Sequence, residues 1–298
     1  MRAFRTLGTA ALLALATACI EPPRERGGEA GPETEEPAEP ATNLVLEAVW
    51  SPDGRRLVAA WDRGAGPDLF GLLGPAADSI PPEPATGLPL TQGGGASPTW
   101  APDGLWVAYA ARGDLWRARP DGTGPEALTS GPATDGEPDY APDGRRLVFT
   151  SDRDAEAPRL WLMDADGGEP TPLSSATPGQ EQRSPAWSPD GRVIAFTAVD
   201  DGVEVIWVGT ADGGGFGRVG EGAQPAWSPD GERIYFAQND SIFWRPAEGG
   251  NRRFVVADGS APNASPGGRW LSFVRGSEPT SALYLLDLET STEARITP

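Results

Sequence analysis

A chain of 298 residues with 39 glycines, 32 prolines and 11 tryptophans reads as many short strands joined by many turns, and its recurring apolar runs argue against wholesale disorder. Its 24 basic residues, all arginine, face 43 acids for a net charge of −19; so acidic a surface repels phosphate backbones and argues against nucleic acid as a partner. Histidine is absent, which excludes Ser-His-Asp triads, Cys-His pairs and histidine zinc sites.

Residues 1–18 read as an export signal. Arg2 and Arg5 precede a small-apolar run from Leu7 to Ala18, and no acid occurs before Glu21. The run is too short to remain as a membrane span. It ends in Leu15-Ala16-Thr17-Ala18-Cys19, which resembles the bacterial lipobox, and the resemblance implies that Cys19 is lipidated and becomes the mature N-terminus. Ala16 stands where leucine is commonest, so an ordinary secretory signal with an incidental cysteine stays open. Cys19 is the only cysteine, so no intrachain disulfide can form. Ile20 is not the aspartate that marks inner-membrane retention in enterobacterial lipoproteins, and the resemblance therefore leans towards the outer membrane, on its periplasmic or surface face. Membrane attachment is expected through the lipid alone.

Residues 19–43 make a tether. From Glu21 to Asn43 the chain holds seven glutamates, two arginines and almost no large apolar residue, a composition that buries no core and predicts a disordered, charge-extended spacer.

Residues 44–298 are dominated by a repeat. Five turns recur: Trp50-Ser51-Pro52-Asp53-Gly54, Trp100-Ala101-Pro102-Asp103-Gly104, Tyr140-Ala141-Pro142-Asp143-Gly144, Trp187-Ser188-Pro189-Asp190-Gly191 and Trp227-Ser228-Pro229-Asp230-Gly231. A degenerate sixth is Ala264-Ser265-Pro266-Gly267-Gly268. Proline presets the backbone for a type I turn and glycine takes the left-handed corner, so the aromatic ends one strand and the run after the glycine starts the next. Those second strands include Arg56-Leu57-Val58-Ala59 and Val193-Ile194-Ala195-Phe196, suited to burial on both faces. A third strand follows in each unit, as at Asp114-Leu115-Trp116 and Val205-Ile206-Trp207-Val208, and a short fourth strand ends at Leu128-Thr129, Leu173-Ser174 or Ile296-Thr297. Spacings of 50, 40, 47, 40 and 37 residues between successive turns suit one four-stranded blade each. The expected fold is all-β: a six-bladed β-propeller of four-stranded antiparallel blades, monomeric, with the aromatics packed between blades. Closure of the ring is least determined, because the sixth turn is degenerate and Leu44-Val45-Leu46 has no assigned place.

The stretch from Phe149-Thr150-Ser151-Asp152-Arg153-Asp154 to Leu160-Trp161-Leu162-Met163-Asp164-Ala165-Asp166-Gly167-Gly168 resembles the TolB-type, WD-repeat-like propeller family of bacterial envelope proteins. The resemblance spans residues 44–298. It implies binding of an envelope protein, such as a Pal-like peptidoglycan-associated lipoprotein, rather than catalysis. TolB itself carries an α/β domain where this chain has its tether, so contacts made by that domain do not carry over.

Hairpin topology sorts the loops. The Pro-Asp-Gly and Asp-Gly-Gly turns fall at one end, short and uniform; the loops between second and third strands and the crossings between blades fall at the other. Variable loops on a rigid scaffold are where recognition resides, and the candidates there are Asp62, Arg63, Arg112, Asp114, Asp152, Arg153, Asp154, Glu156, Asp200, Asp201, Asp240, Arg275 and Glu278. The plain reading of each one alone is a solvated polar rim. Asp164-Ala165-Asp166-Gly167-Gly168-Glu169 gives a weak calcium signal, since the EF-hand ligand spacing is missing; otherwise no cofactor is expected. No Gly-x-Ser-x-Gly elbow occurs, although similar propellers precede α/β-hydrolase domains in some peptidases. The main reading is a non-catalytic binding module. The alternative is a carbohydrate-binding or carbohydrate-active propeller using carboxylates at the channel mouth.

Overall fold

In the computed structural model, which describes residues 42–75, 87–154, 157–173, 179–277 and 279–297, every repeat closes the hairpin its residues predict. Ser51 N–H donates to the Arg56 carbonyl and Gly54 N–H to the Ser51 carbonyl, both at 2.8 Å, with Gly54 at φ 69°. The same pair of bonds forms at Ala101, Ala141, Ser188, Ser228 and Ser265. The degenerate sixth turn is therefore the equal of the others, with Gly268 supplying the left-handed corner at φ 73°.

Each turn joins the inner two strands of a four-stranded antiparallel sheet. Blade 1 holds β1 (Leu44–Trp50), β2 (Arg56–Asp62), β3 (Pro67–Leu73) and β4 (Leu88–Pro89). Blade 2 holds β5 (Ala96–Trp100), β6 (Val107–Ala111), β7 (Asp114–Ala118) and β8 (Glu126–Ala127). Blade 3 is β9 (Asp135–Tyr140), β10 (Arg146–Ser151), β11 (Arg159–Asp164) and β12 (Thr171–Pro172). Blade 4 is β13 (Glu181–Trp187), β14 (Val193–Asp200), β15 (Val203–Thr210) and β16 (Gly217–Glu221). Blade 5 runs β17 (Ala223–Trp227), β18 (Arg233–Gln238), β19 (Ser241–Pro246) and β20 (Arg253–Ala257), and blade 6 runs β21 (Ser260–Ala264), β22 (Trp270–Ser277), β23 (Thr280–Asp287) and β24 (Glu293–Arg295). No helix occurs among the described residues.

The fourth strands of blades 2, 3 and 6 stop short of the predicted Leu-Thr, Leu-Ser and Ile-Thr pairs. Leu128, Thr129, Leu173, Ile296 and Thr297 turn inward instead. Leu128 and Ile296 are buried, and the hydroxyls of Thr129 and Thr297 accept the N–H groups of Leu115 and Leu283 at 2.9 Å each. Thr91 does the same for Leu69 at 2.8 Å. The threonine satisfies a third-strand amide that the truncated fourth strand leaves bare.

Burial lies between blades. One cluster packs Trp50, Leu57 and Trp61 of blade 1 against Trp270, Leu283 and Leu285 of blade 6; another packs Val148 and Leu160 of blade 3 against Trp187 and Phe196 of blade 4. A fully buried indole removes ~200 Å² from water, at most ~5 kcal/mol by area. The turns mesh around the ring as well. A methyl built on Gly144 would meet Pro102 of the preceding blade at 3.7 Å, one on Gly191 would meet Pro142 at 3.7 Å, and one on Gly54 would meet Pro266 of blade 6 at 3.8 Å.

That last contact belongs to the seam between the first and last blades. Each of those blades is built from its own four consecutive strands, so no strand is shared across it. Asn43 instead makes a parallel bridge to Thr280, the Ser281 hydroxyl donates to the Val45 carbonyl at 2.6 Å, and the Trp50 indole N–H donates to the Asn263 carbonyl at 3.2 Å.

Candidate functional site

The six innermost strands surround an axial cavity of about 530 Å³. Their exposed edges face it, which is why they tolerate proline, a residue that cannot donate to a ladder. Five of them carry a residue–proline pair three positions before the turn's aromatic or its equivalent: Ser97-Pro98, Glu137-Pro138, Ser184-Pro185, Gln224-Pro225 and Ala261-Pro262. The residue before each proline sits at φ between 47° and 54°, within a β-bulge that interrupts the register with the second strand. Such a conformation costs a non-glycine residue about 1 kcal/mol or more, and neighbouring blades hold it in place.

The bulge turns the amide of the pre-proline residue towards the preceding blade. Ser97 N–H donates to Glu47 Oε1 at 2.7 Å, Ser184 N–H to Glu137 Oε2 at 2.8 Å, and Ala261 N–H to Gln224 Oε1 at 2.9 Å. Blades 1, 3 and 5 thus present a long acceptor side chain to blades 2, 4 and 6, a threefold alternation laid over the sixfold ring. One position before the aromatic, Asp139 accepts the Thr99 hydroxyl of blade 2 at 3.1 Å and the Trp187 N–H of blade 4 at 2.7 Å.

These carboxylates lie deep in the ring with little compensating positive charge. Burial pushes Glu47 up to about 7, with the charge of Glu137 adding to the effect, and burial alone pushes Asp139 up to about 7. Burial also raises Glu137. The side chains remain partly open to the cavity. At neutral pH the site therefore exchanges protons, and it offers hydrogen-bond acceptors, or donors when protonated, to whatever enters. Among the described residues no three His, Cys, Asp or Glu side chains converge to hold a metal.

At the loop end the cavity continues into a polar groove of about 380 Å³ between blades 4 and 5, which shares Glu137, Ser184 and Gln224 with it. Arg183, Glu204, Gln238, Asn239 and Asp240 line the rest. Asn239 and Asp240 both take left-handed conformations, φ 50° and 55°, in the β18–β19 turn.

The rim residues singled out in the sequence are dispersed. Asp240 alone among them lies in this groove. Arg112, at φ 58° in the β6–β7 turn, lines a separate recess with Tyr109 and Trp116. Several serve their own loops: Asp62 accepts the Gly64 and Gly66 amides, and Asp152 accepts the Thr134 amide. Arg153 grips Asp135 through two bonds of 2.7 and 2.8 Å, and Arg275 pairs with Glu293. Arg63 lies 3.8 Å above the Trp61 ring. Asp114 starts β7 with one buried oxygen lacking a hydrogen-bond partner among the described residues. Asp154 is exposed and Asp201 turns between β14 and β15 at φ 49°; Asp200 ends β14. Cys19, Glu156 and Glu278 lie outside the described residues. Glu47, Glu137 and Asp139 were not singled out from sequence; their signal is their alignment at fixed offsets before the aromatic.

The TolB beta propeller domain model matches residues 88–216. A stretch of 110 residues is 34% identical to an uncharacterized peptidase, YuxL, of Bacillus subtilis, covering 34% of this chain and 16% of that protein. The Tol-Pal system protein TolB of Bordetella pertussis is 28% identical over 133 residues, covering 31% of this chain and 30% of that one. The crystal structure of TolB from Acinetobacter baumannii superposes with a TM-score of 0.63 at 17% identity, over 86% of this chain and 64% of that one, a likeness of fold. The chain spans less than two thirds of the length of the curated relatives it matches. With the six meshed blades, these matches show a TolB-like β-propeller, matched by the family model over residues 88–216.

Proposed function

We propose that this propeller is a non-catalytic, protein-binding module of the bacterial cell envelope, exported and held to the membrane by lipid on Cys19, with its recognition surface at the loop end. The observation that carries the reading is the continuity of the axial cavity with the groove between blades 4 and 5 through Glu137, Ser184 and Gln224. Together they form an acceptor-rich cleft, suited to a partner's loop that brings N–H donors and a basic side chain. The Tol-Pal system name of one relative supports an envelope partner, and the absence of histidine leaves this chain without the base of a Ser-His-Asp peptidase. The test is crosslinking in the native envelope with a photoreactive residue at Asp240, beside mass spectrometry of the mature N-terminus. A discrete crosslinked protein and a diacylated Cys19 are expected; no crosslink overturns the binding reading, and an unmodified cysteine overturns the anchor.

A further inference from the structure

The turn end, uniform in sequence, is not uniform in structure. Between blades 2 and 3 it opens into a pocket of about 650 Å³, large enough for a small ligand, and three departures from the repeat converge there. The first is a loss of hydroxyls. In blades 1, 4 and 5 the turn serine donates to the turn aspartate, Ser51 to Asp53, Ser188 to Asp190 and Ser228 to Asp230, and this bond holds those carboxyls below the usual range. Blades 2 and 3 carry Ala101 and Ala141 instead. Asp103 and Asp143 then accept only a backbone amide, of Leu105 at 2.8 Å and Arg145 at 2.9 Å, on the oxygen that in the other three turns also takes the hydroxyl, so each keeps more acceptor capacity for a ligand.

The second departure is Tyr140, where the other four clean turns have tryptophan. It is 6% exposed, and its hydroxyl, in the pocket wall, makes no well-formed hydrogen bond among the described residues, the nearby Arg117 guanidinium being its closest donor. A buried hydroxyl left unpaired calls for an explanation. The third is Trp106, which takes the place held by Arg56 in blade 1 and Arg146 in blade 3. It offers the pocket a half-buried indole. The Arg117 guanidinium lies 4.5 Å from this ring and donates to the Ala165 carbonyl at 3.0 Å; exposed Arg119 lies over the same ring at 4.1 Å and must swing aside for a ligand to stack.

An indole platform, two carboxylates that have lost their serine donor, guanidinium donors and a phenol without a well-formed hydrogen bond make a set that fits a ring with apolar C–H faces and hydroxyls around its edge. Asp103, Asp143, Asp164 and Asp166 around the pocket outnumber Arg117 and Arg145 and repel an anion, while the guanidiniums of Arg117 and Arg119 already take the cation-binding positions over Trp106. We propose that this pocket binds a neutral saccharide, stacked on Trp106 and hydrogen-bonded by Asp103, Asp143 and Tyr140. It stands at the opposite end of the ring from the protein-binding cleft and is independent of it.

The test uses the full-length chain in saturation-transfer NMR with cellobiose, maltose and N,N′-diacetylchitobiose at millimolar concentration. Transfer to the ring C–H protons of at least one disaccharide is expected. Trp106→Ala and Asp143→Asn should each weaken it by about tenfold, while Glu232→Gln, exposed at the blade 5 turn, leaves it unchanged. If Trp106→Ala fails to fold, Tyr140→Phe with Asp143→Asn carries the comparison. No transfer to any of the three sugars, or transfer that survives these substitutions, overturns the proposal, as does protection of this end by a protein partner with no saccharide effect.

Discussion

Glu137 of blade 3 accepts the N–H of Ser184 in blade 4 at 2.8 Å, joining the left-handed bulge of one innermost strand to the cavity wall of its neighbour. The bond explains why a carboxylate held above its usual range stands there at all. It receives an amide that the bulge has turned out of its own ladder, and a buried amide left without a partner is costly.

Glu47 does the same service for Ser97, and its charge is the expensive part. A carboxyl whose folded value lies near 7, against 4.5 when free, contributes fully below pH 4.5 and loses that contribution as the pH rises through 7. The shift bounds the effect at about 3 kcal/mol, and water in the cavity reduces it to about 1 kcal/mol. Glu47→Gln keeps a carbonyl acceptor without the charge. It should melt higher than the wild type at pH 8, with the gap closing towards pH 4.5; a constant gap across that range would show that Glu47 does not titrate as described.

Asp287 works in the opposite sense. Arg269 donates to it at 2.9 Å, and the amides of Glu289 and Thr290 donate to its other oxygen. The arginine holds its carboxyl down at about 2. A depressed carboxyl stabilises above its free value of 3.8 and loses that stabilisation as the pH falls through the folded value. Asp287→Asn should be less stable than wild type at neutral pH and equal to it below about pH 2, and carbon-detected NMR of the carboxyl should give a midpoint near the lower end of that window.

Trp187, 6% exposed, packs between blades 3 and 4 with Val148, Leu160 and Phe196. Trp187→Ala should cost on the order of 3–5 kcal/mol, lowering the melting temperature by roughly 6–15 °C for a domain of this size. An unchanged calorimetric transition would rule out a stabilising burial of the indole between the blades.

The turns were legible because their chemistry is local: Pro52, Asp53 and Gly54 specify a conformation without reference to the rest of the chain. Even Gly267-Gly268 could be placed, since the bonds that close the turn are backbone bonds from Ser265 and Gly268 and need no aspartate. The cavity acids were not legible. Glu137 reads as an exposed residue in a proline-rich approach to the turn, and only the bulge, a product of six inner edges crowding one axis, points it inward. The pairing of the rim charges was hidden for a related reason: Asp152 and Arg153 look like free loop charges, but their partners Thr134 and Asp135 lie across a hairpin whose register sequence does not give. The pocket beside Trp106 shows only when the turns are compared with one another, through Ala101, Ala141 and Tyr140.

Ser281→Ala tests the seam. Its hydroxyl is buried and donates to the Val45 carbonyl at 2.6 Å, so its removal leaves a buried acceptor unpaired at a cost of about 1–2 kcal/mol. Amide exchange at Asn43 and Ser281, whose N–H groups bond across the seam, should accelerate before that of blade 3. Uniform acceleration around the ring would mean that the seam is no weaker than other junctions.

Since no strand crosses from blade 6 into blade 1, the junction behaves as a zipper whose pull-tab is Asn43. Tension arriving along the polypeptide from its N-terminal side would be delivered to the Asn43–Thr280 bridge before any other contact in the ring. A mechanical load on this molecule should therefore peel blade 1 away first, leaving the remaining five as an open arc.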